Sequence, residues 1–151
     1  MQAKGIRISD SKGNILAPTL PDVLEAISDG NFFYWSLLYL YASGDLGEDK
    51  SMLVFEKEIY DSEKGFFITW DELNSLAKKF YQIIDITIIG CRDKSLLRCY
   101  DNDQEMYETC DIVIEMIDSS YWEVFSKDEA LINKLAAKFK EIKFLEPDFQ
   151  K

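Results

Sequence analysis

The stretch from Asp111 to Phe125 constrains this chain most. Ile112, Ile114 and Met116 recur at every second position, Ser119-Ser120 supplies a turn, and Tyr121–Phe125 returns. A period of two puts successive side chains on opposite faces, so it marks a strand with one buried face rather than a helix. Two such runs around a short turn form a β-hairpin, which commits the fold to an antiparallel sheet.

Other segments extend that sheet. Gly5–Leu16 reads as a hairpin, with Ile6 and Ile8 alternating and Ser11-Lys12-Gly13-Asn14 as its turn. Phe32–Ala42 is aromatic and apolar on both faces, as a central strand is. Met52–Tyr60 reads as its partner strand across the acidic loop Ser43–Ser51. Phe66–Ile68 forms a short strand after a turn at Gly65, and Asp85–Cys91 another.

Three helices are predicted. Thr19 caps the first, with Pro21 and Asp22 in its opening turn, Val23, Leu24 and Ile27 on its apolar face, and Gly30 as its stop. Thr69 and Glu72 form a capping box before Leu73, Leu76, Ala77 and Phe80. Ser126-Lys127-Asp128-Glu129 is a second box, before a stripe of Leu131, Leu135, Phe139 and Ile142. Residues 92–109 leave two readings open, a short helix beginning at Asp101-Asn102-Asp103-Gln104 or an acidic loop. The tail with Pro147 is expected to wrap the body loosely. The expected fold is α+β, a mostly antiparallel sheet built from hairpins with about three helices packed on it, as a single compact domain over residues 1–151. A chain of 151 residues buries enough surface to need no disulfide or metal for folding.

Charge narrows the function. The net charge is −11, and residues 101–129 alone hold ten acids and one base. Residues 45–63 hold seven acids and two bases. Such a field repels nucleic acid and anionic lipid and attracts basic surfaces. The three cysteines, Cys91, Cys99 and Cys110, match neither a disulfide framework nor a CxxC motif. Free thiols suit a reducing cytoplasm, and no apolar run is long enough to span a membrane.

The chemistry of most enzyme classes is missing. With no histidine, Ser-His-Asp and Cys-His catalysis and histidine-ligated zinc are excluded. No phosphate-cradling glycine loop occurs, and the bases form no aromatic-interleaved stretch for single-stranded nucleic acid. Asp101–Glu105 fails as a calcium loop, because Met106 and Ile112 stand where glycine and an acid are needed. No catalytic residue, metal or cofactor is therefore expected. An enzyme working through carboxylates alone would need two of them facing each other across a deep pocket.

Binding is the remaining expectation. Trp35 and Trp70 read as core and helix-packing residues, and Cys91 and Cys110 as small buried ones. Trp122 sits among acids beside a turn, in Asp118-Ser119-Ser120-Tyr121-Trp122-Glu123. Alternation pairs it with Val124, so both burial and exposure are open for it. The candidate partner surface comprises Asp101, Asp103, Glu105, Glu108, Asp118, Tyr121, Trp122 and Glu123, where tyrosine and tryptophan would anchor and carboxylates would meet arginine and lysine.

The motifs Gly44-Asp45-Leu46-Gly47, Phe66-Phe67-Ile68-Thr69-Trp70-Asp71-Glu72-Leu73, Ile112-Val113-Ile114-Glu115, Asp118–Val124 and Ser126-Lys127-Asp128, in this order, resemble the small acidic immunity proteins of bacterial contact-dependent inhibition and other polymorphic toxin systems. The resemblance covers the latter two-thirds of the chain. It implies a cytoplasmic protein that binds the C-terminal toxin domain of a cognate effector, a nuclease with a basic groove among the common cases. The alternative is an acidic nucleic-acid mimic or regulatory adaptor that binds another basic protein.

Overall fold

The computed structural model describes residues 3–146; the tail expected around Pro147 lies outside them. The strands are β1 (Lys4–Ile8), β2 (Ser11–Lys12), β3 (Ile15–Leu16), β4 (Tyr34–Gly44), β5 (Phe66–Ile68), β6 (Phe80–Cys91), β7 (Ile112–Ile117), β8 (Tyr121–Ser126) and β9 (Ile142–Leu145). The α-helices are α1 (Leu20–Leu24), α2 (Met52–Tyr60), α3 (Trp70–Ala77), α4 (Asp103–Thr109) and α5 (Glu129–Lys138). Seven strands form one sheet in the order β5-β4-β6-β7-β8-β1-β9, and every pairing is antiparallel. The fold is α+β, with five helices in place of about three.

The β7–β8 hairpin lies at the centre of the sheet. Its loop turns through Asp118 and Ser119, both in left-handed backbone with φ of 50° and 57°. Short polar side chains tolerate that conformation best after glycine. Ile112, Ile114 and Met116 face one side with Trp122 and Val124, and all are buried. On this face α1, α3 and α5 bury the main core, including Ile6, Trp35, Leu73, Ile88 and Leu135. Each such side chain contributes about 1.5–3 kcal/mol through removal from water.

The predicted caps hold at two sites. Thr19 and Asp22 exchange hydrogen bonds at the start of α1, and Thr69 and Glu72 do so at α3. At α5 the cap shifts to Asp128, whose side chain accepts from the Ala130 N–H. Ser126 remains in β8, and its Oγ accepts the Asp128 N–H. Leu131 and Leu135 are buried as expected, with Ile132 beside them. Phe139 already ends the helix, and Ile142 opens β9, which pairs with β1.

Further expectations are corrected: Phe80 opens β6 and does not continue α3, which ends at Ala77. β1 does not form a hairpin with Ile15–Leu16, because Ile6 and Ile8 pair with Val124 and Trp122. That position buries them fully, whereas the small β2–β3 ladder around Gly13 leaves Ile15 exposed. Met52–Tyr60 is a helix, not a strand. Ser51 Oγ accepts from the N–H groups of Leu53 and Val54, and Phe55 and Ile59, four residues apart, are the buried pair. The partner of β4 is therefore β6, along its whole length. Gly30 does not stop α1, which ends at Glu25. It lies under Trp70, where a Cβ would come within 2.2 Å of the ring. Trp70 in turn stacks on Trp35 at 5.1 Å, and Trp35 Nε1 donates to the Gly30 carbonyl at 2.9 Å.

Residues 92–109 contain a 3-10 turn, Lys94–Leu96, and α4, which Asn102 caps by accepting from the Glu105 N–H. This segment packs on the second face of the sheet. It covers a row of small and apolar residues in register across six strands: Ser36, Ile89, Val113, Phe125, Gly5 and Leu145. Leu97, Met106, Cys91 and Cys110 complete that cluster.

Candidate functional site

The second face continues past α4 as a polar row. Tyr39 of β4 is opposite Thr87, Thr87 opposite Glu115, Glu115 opposite Glu123, Glu123 opposite Arg7, and Arg7 opposite Lys143. A bulge sets one end of this row. The β4–β6 register slips by one residue between Leu37 and Tyr39. The slip leaves Leu38 unpaired and turns Tyr39 and Tyr41 away from the core face that Leu37 and Leu40 occupy. Both tyrosines are about half exposed, at 46% and 52%.

The middle of the row holds two buried carboxyl groups. Glu115 and Glu123 are direct cross-strand neighbours, and like charges so placed repel. The fold separates their roles. Arg7 pairs with Glu123, with Nε and Nη2 both 2.8 Å from Oε2, and its guanidinium lies 4.3 Å from the centre of the Tyr121 ring. Among the described residues no cation pairs with Glu115. Tyr107 Oη donates to its Oε1 at 2.5 Å, while the Tyr107 ring stacks on Phe125 at 3.9 Å. Burial pushes the Glu115 carboxyl up to about 7, with Asp103 and Glu123 adding to the rise and the Tyr107 hydrogen bond opposing it. Near neutral pH one carboxyl of the pair keeps a proton for part of the time. The two lie side by side on the sheet, not across the cleft that two-carboxylate hydrolysis uses.

At the β4 edge the row meets α2. β5 pairs with β4 only over Trp35–Leu37, and beyond it the helix takes over the edge. Glu56 Oε2 accepts the Ala42 N–H at 2.8 Å, in the place of a strand partner. Tyr39, Leu40, Tyr41, Glu56, Lys57 and Tyr60 line a hollow of about 330 Å³. Leu53 and Tyr60 point away from the body, at 77% and 79% exposure. Large apolar side chains grouped in this way mark an interaction surface.

A family model described as a protein of unknown function, DUF2691, matches residues 4–150. The chain belongs to the DUF2691 family. No curated protein and no solved structure matches it.

In this DUF2691 member the residues singled out by sequence do not form one surface. Asp101, Asp103 and Glu108 are exposed on and before α4, and Glu105 pairs with Arg98 at 2.8 Å. Asp118 is exposed at the opposite end of β7, on the order of 15–20 Å away for a six-residue strand. Tyr121 is half-buried under Arg7. Trp122 is 1% exposed, and its Nε1 donates to the Pro18 carbonyl at 2.9 Å, so it is a core residue and not a contact. Glu123 is buried against Arg7. Sequence reasoning missed Tyr39, Tyr41, Tyr60 and Glu56. The signal present was the second acidic stretch, residues 45–63, next to a tyrosine-rich strand. Among the described residues no three acidic or cysteine side chains converge on a metal site, and no helix is long and apolar enough to cross a membrane. All three cysteines are free, with Cys91 and Cys110 buried and Cys99 exposed.

Proposed function

We propose that this chain is a cytoplasmic immunity protein that neutralises a cognate bacterial toxin domain, a nuclease with a basic substrate groove, by covering that groove. The observation that carries this reading is the half-exposed pair Tyr39 and Tyr41, on the part of the second face that α4 leaves open, in a chain of net charge −11. Tyrosine supplies contact area at low entropic cost, and the acids around it would take the place of phosphate. The resemblance of the motif order to toxin-immunity proteins supports the same reading. Long-range attraction would speed encounter, and the aromatic contacts would slow release.

Co-expression tests it. On this reading the toxin is the C-terminal domain of a large secreted protein, to be sought immediately upstream of this gene. Induction of that domain alone should arrest growth, and co-expression of this chain should restore it, with the two copurifying one to one. Absence of such a gene, or arrest that persists despite soluble chain, overturns the proposal. Capture of a chromatin or restriction protein in its place would favour the nucleic-acid mimic.

A further inference from the structure

Resting on the reading of this chain as a binder of a basic protein, we propose that the hollow between α2 and β4 receives an arginine side chain of the partner, stacked on Tyr39, Tyr41 and Tyr60 and hydrogen-bonded to Glu56.

The chain already holds two guanidiniums of its own with this pair of groups, and one is Arg98, which pairs with Glu105 and lies over Tyr100. Arg7 is gripped by a carboxylate, Glu123, and lies over a tyrosine ring, Tyr121. The hollow presents the same chemistry without the cation. Arg92, Lys94 and Arg98 lie over Phe33, Phe67 and Tyr100, whereas among the described residues no cation lies over Tyr39, Tyr41 or Tyr60. Glu56 is preorganised, since the Ala42 N–H holds its Oε2. Its Oε1 has no hydrogen-bond partner among the described residues, and a planar guanidinium suits it better than an ammonium would. Lys57 also lines the hollow, but Asp61 pairs with it at 2.7 Å. The surrounding stretch, residues 45–63, carries seven acids against two bases, which complements a basic partner. Buried Leu40 closes one wall of the hollow, and exposed Leu53, two turns before Tyr60, is on the same face of α2.

The test uses tetra-arginine amide as probe at low salt, followed by backbone and tyrosine-ring NMR on the full chain. Its neutral isostere tetracitrulline and tetra-glutamate serve as controls. Tetra-arginine should shift Tyr39, Tyr41, Glu56 and Tyr60 and the controls should not. Tyr60→Ala, at a side chain that contributes little to the core, should weaken binding by about twofold to fivefold, the range for an exposed cation–π contact. Glu56→Gln keeps the shape and should weaken it further, while Tyr39→Phe keeps the ring face and should bind as the parent does. Shifts centred on Asp101–Glu108, equal binding of tetracitrulline, or unchanged affinity in Tyr60→Ala and Glu56→Gln each overturn the site. So does concentration-dependent dimerisation in sedimentation that Tyr60→Ala abolishes, because a second copy would then occupy the hollow. Growth protection separates this inference from the neutralising role. If the parent protects and a Glu56→Gln/Tyr60→Ala chain protects equally, the site falls and the role stands. If the parent fails to protect yet binds tetra-arginine at the hollow, the role falls and the site stands.

Discussion

Tyr107, from α4, donates its hydroxyl to Glu115, in the middle of β7, across 2.5 Å. This bond fastens the acidic helix to the sheet and partners a carboxyl group that is only 9% exposed. Tyr107→Phe keeps the stacking on Phe125 and removes the bond. A buried acceptor left without its donor costs about 1–3 kcal/mol. Urea melts at pH 8 should show a loss in that range. The Glu115 carboxyl should also rise further, because the hydrogen bond is what opposes its burial.

Stability should depend on pH through the same group. The Glu115 carboxyl titrates at about 7 in the fold, against 4.5 for an ordinary glutamate. The groups facing it are Tyr107 and Asp103 on the side of α4, Glu123 from β8, and Thr87 from β6, with Arg7 beyond Glu123. A raised carboxyl favours the protonated fold. Its stabilising contribution is complete below pH 4.5 and is lost as pH rises through 7, by about 3 kcal/mol in total. Glu115→Gln accepts the Tyr107 bond without ionising. Denaturant melts from pH 5 to 8 should therefore decline for the parent and run flatter for the variant. Parallel profiles would contradict the assignment.

Trp122 should behave as core. Trp122→Phe removes the indole donor from the Pro18 carbonyl and leaves space against Met116 and Val124. A loss of about 2–4 kcal/mol is expected from the cavity and the unpaired carbonyl together. If Trp122 contacted a partner instead, the variant would melt as the parent does and lose only binding.

Charge reversal should separate two kinds of acid. Asp103→Lys alters an exposed side chain, so it should slow association with a basic partner and change stability by under about 1 kcal/mol, through the first turn of α4 and the field at Glu115. Raising ionic strength should slow the parent likewise, since exposed charges are screened. Glu123→Lys places a cation against Arg7 in the sheet. It should cost about 2–3 kcal/mol, less than a fully buried pair because Arg7 is a third exposed. Stopped-flow association and thermal melts of the two variants read these effects independently.

The strands at 112–117 and 121–125, the caps at Thr19 and Thr69, and the buried faces marked by alternation or helical spacing are legible in the amino-acid order. Those features are local, because a period of two or a capping side chain acts within a few residues of itself. Tertiary structure alone decided the rest. Phe55 and Ile59 show their helical spacing only against a core that covers one side of α2. The pairing of β1 with β8 and β9 joins residues more than a hundred positions apart. Trp122 alternates equally well into the core or out of it, and the helices on that face chose the core. One unpaired residue, Leu38, turns Tyr39 and Tyr41 outward, and nothing in the spacing of Phe32–Ala42 marks it. Partner choice and face choice depend on what lies opposite and above a strand, so the candidate surface moved from the richest acidic stretch to a face assembled from several strands and α2.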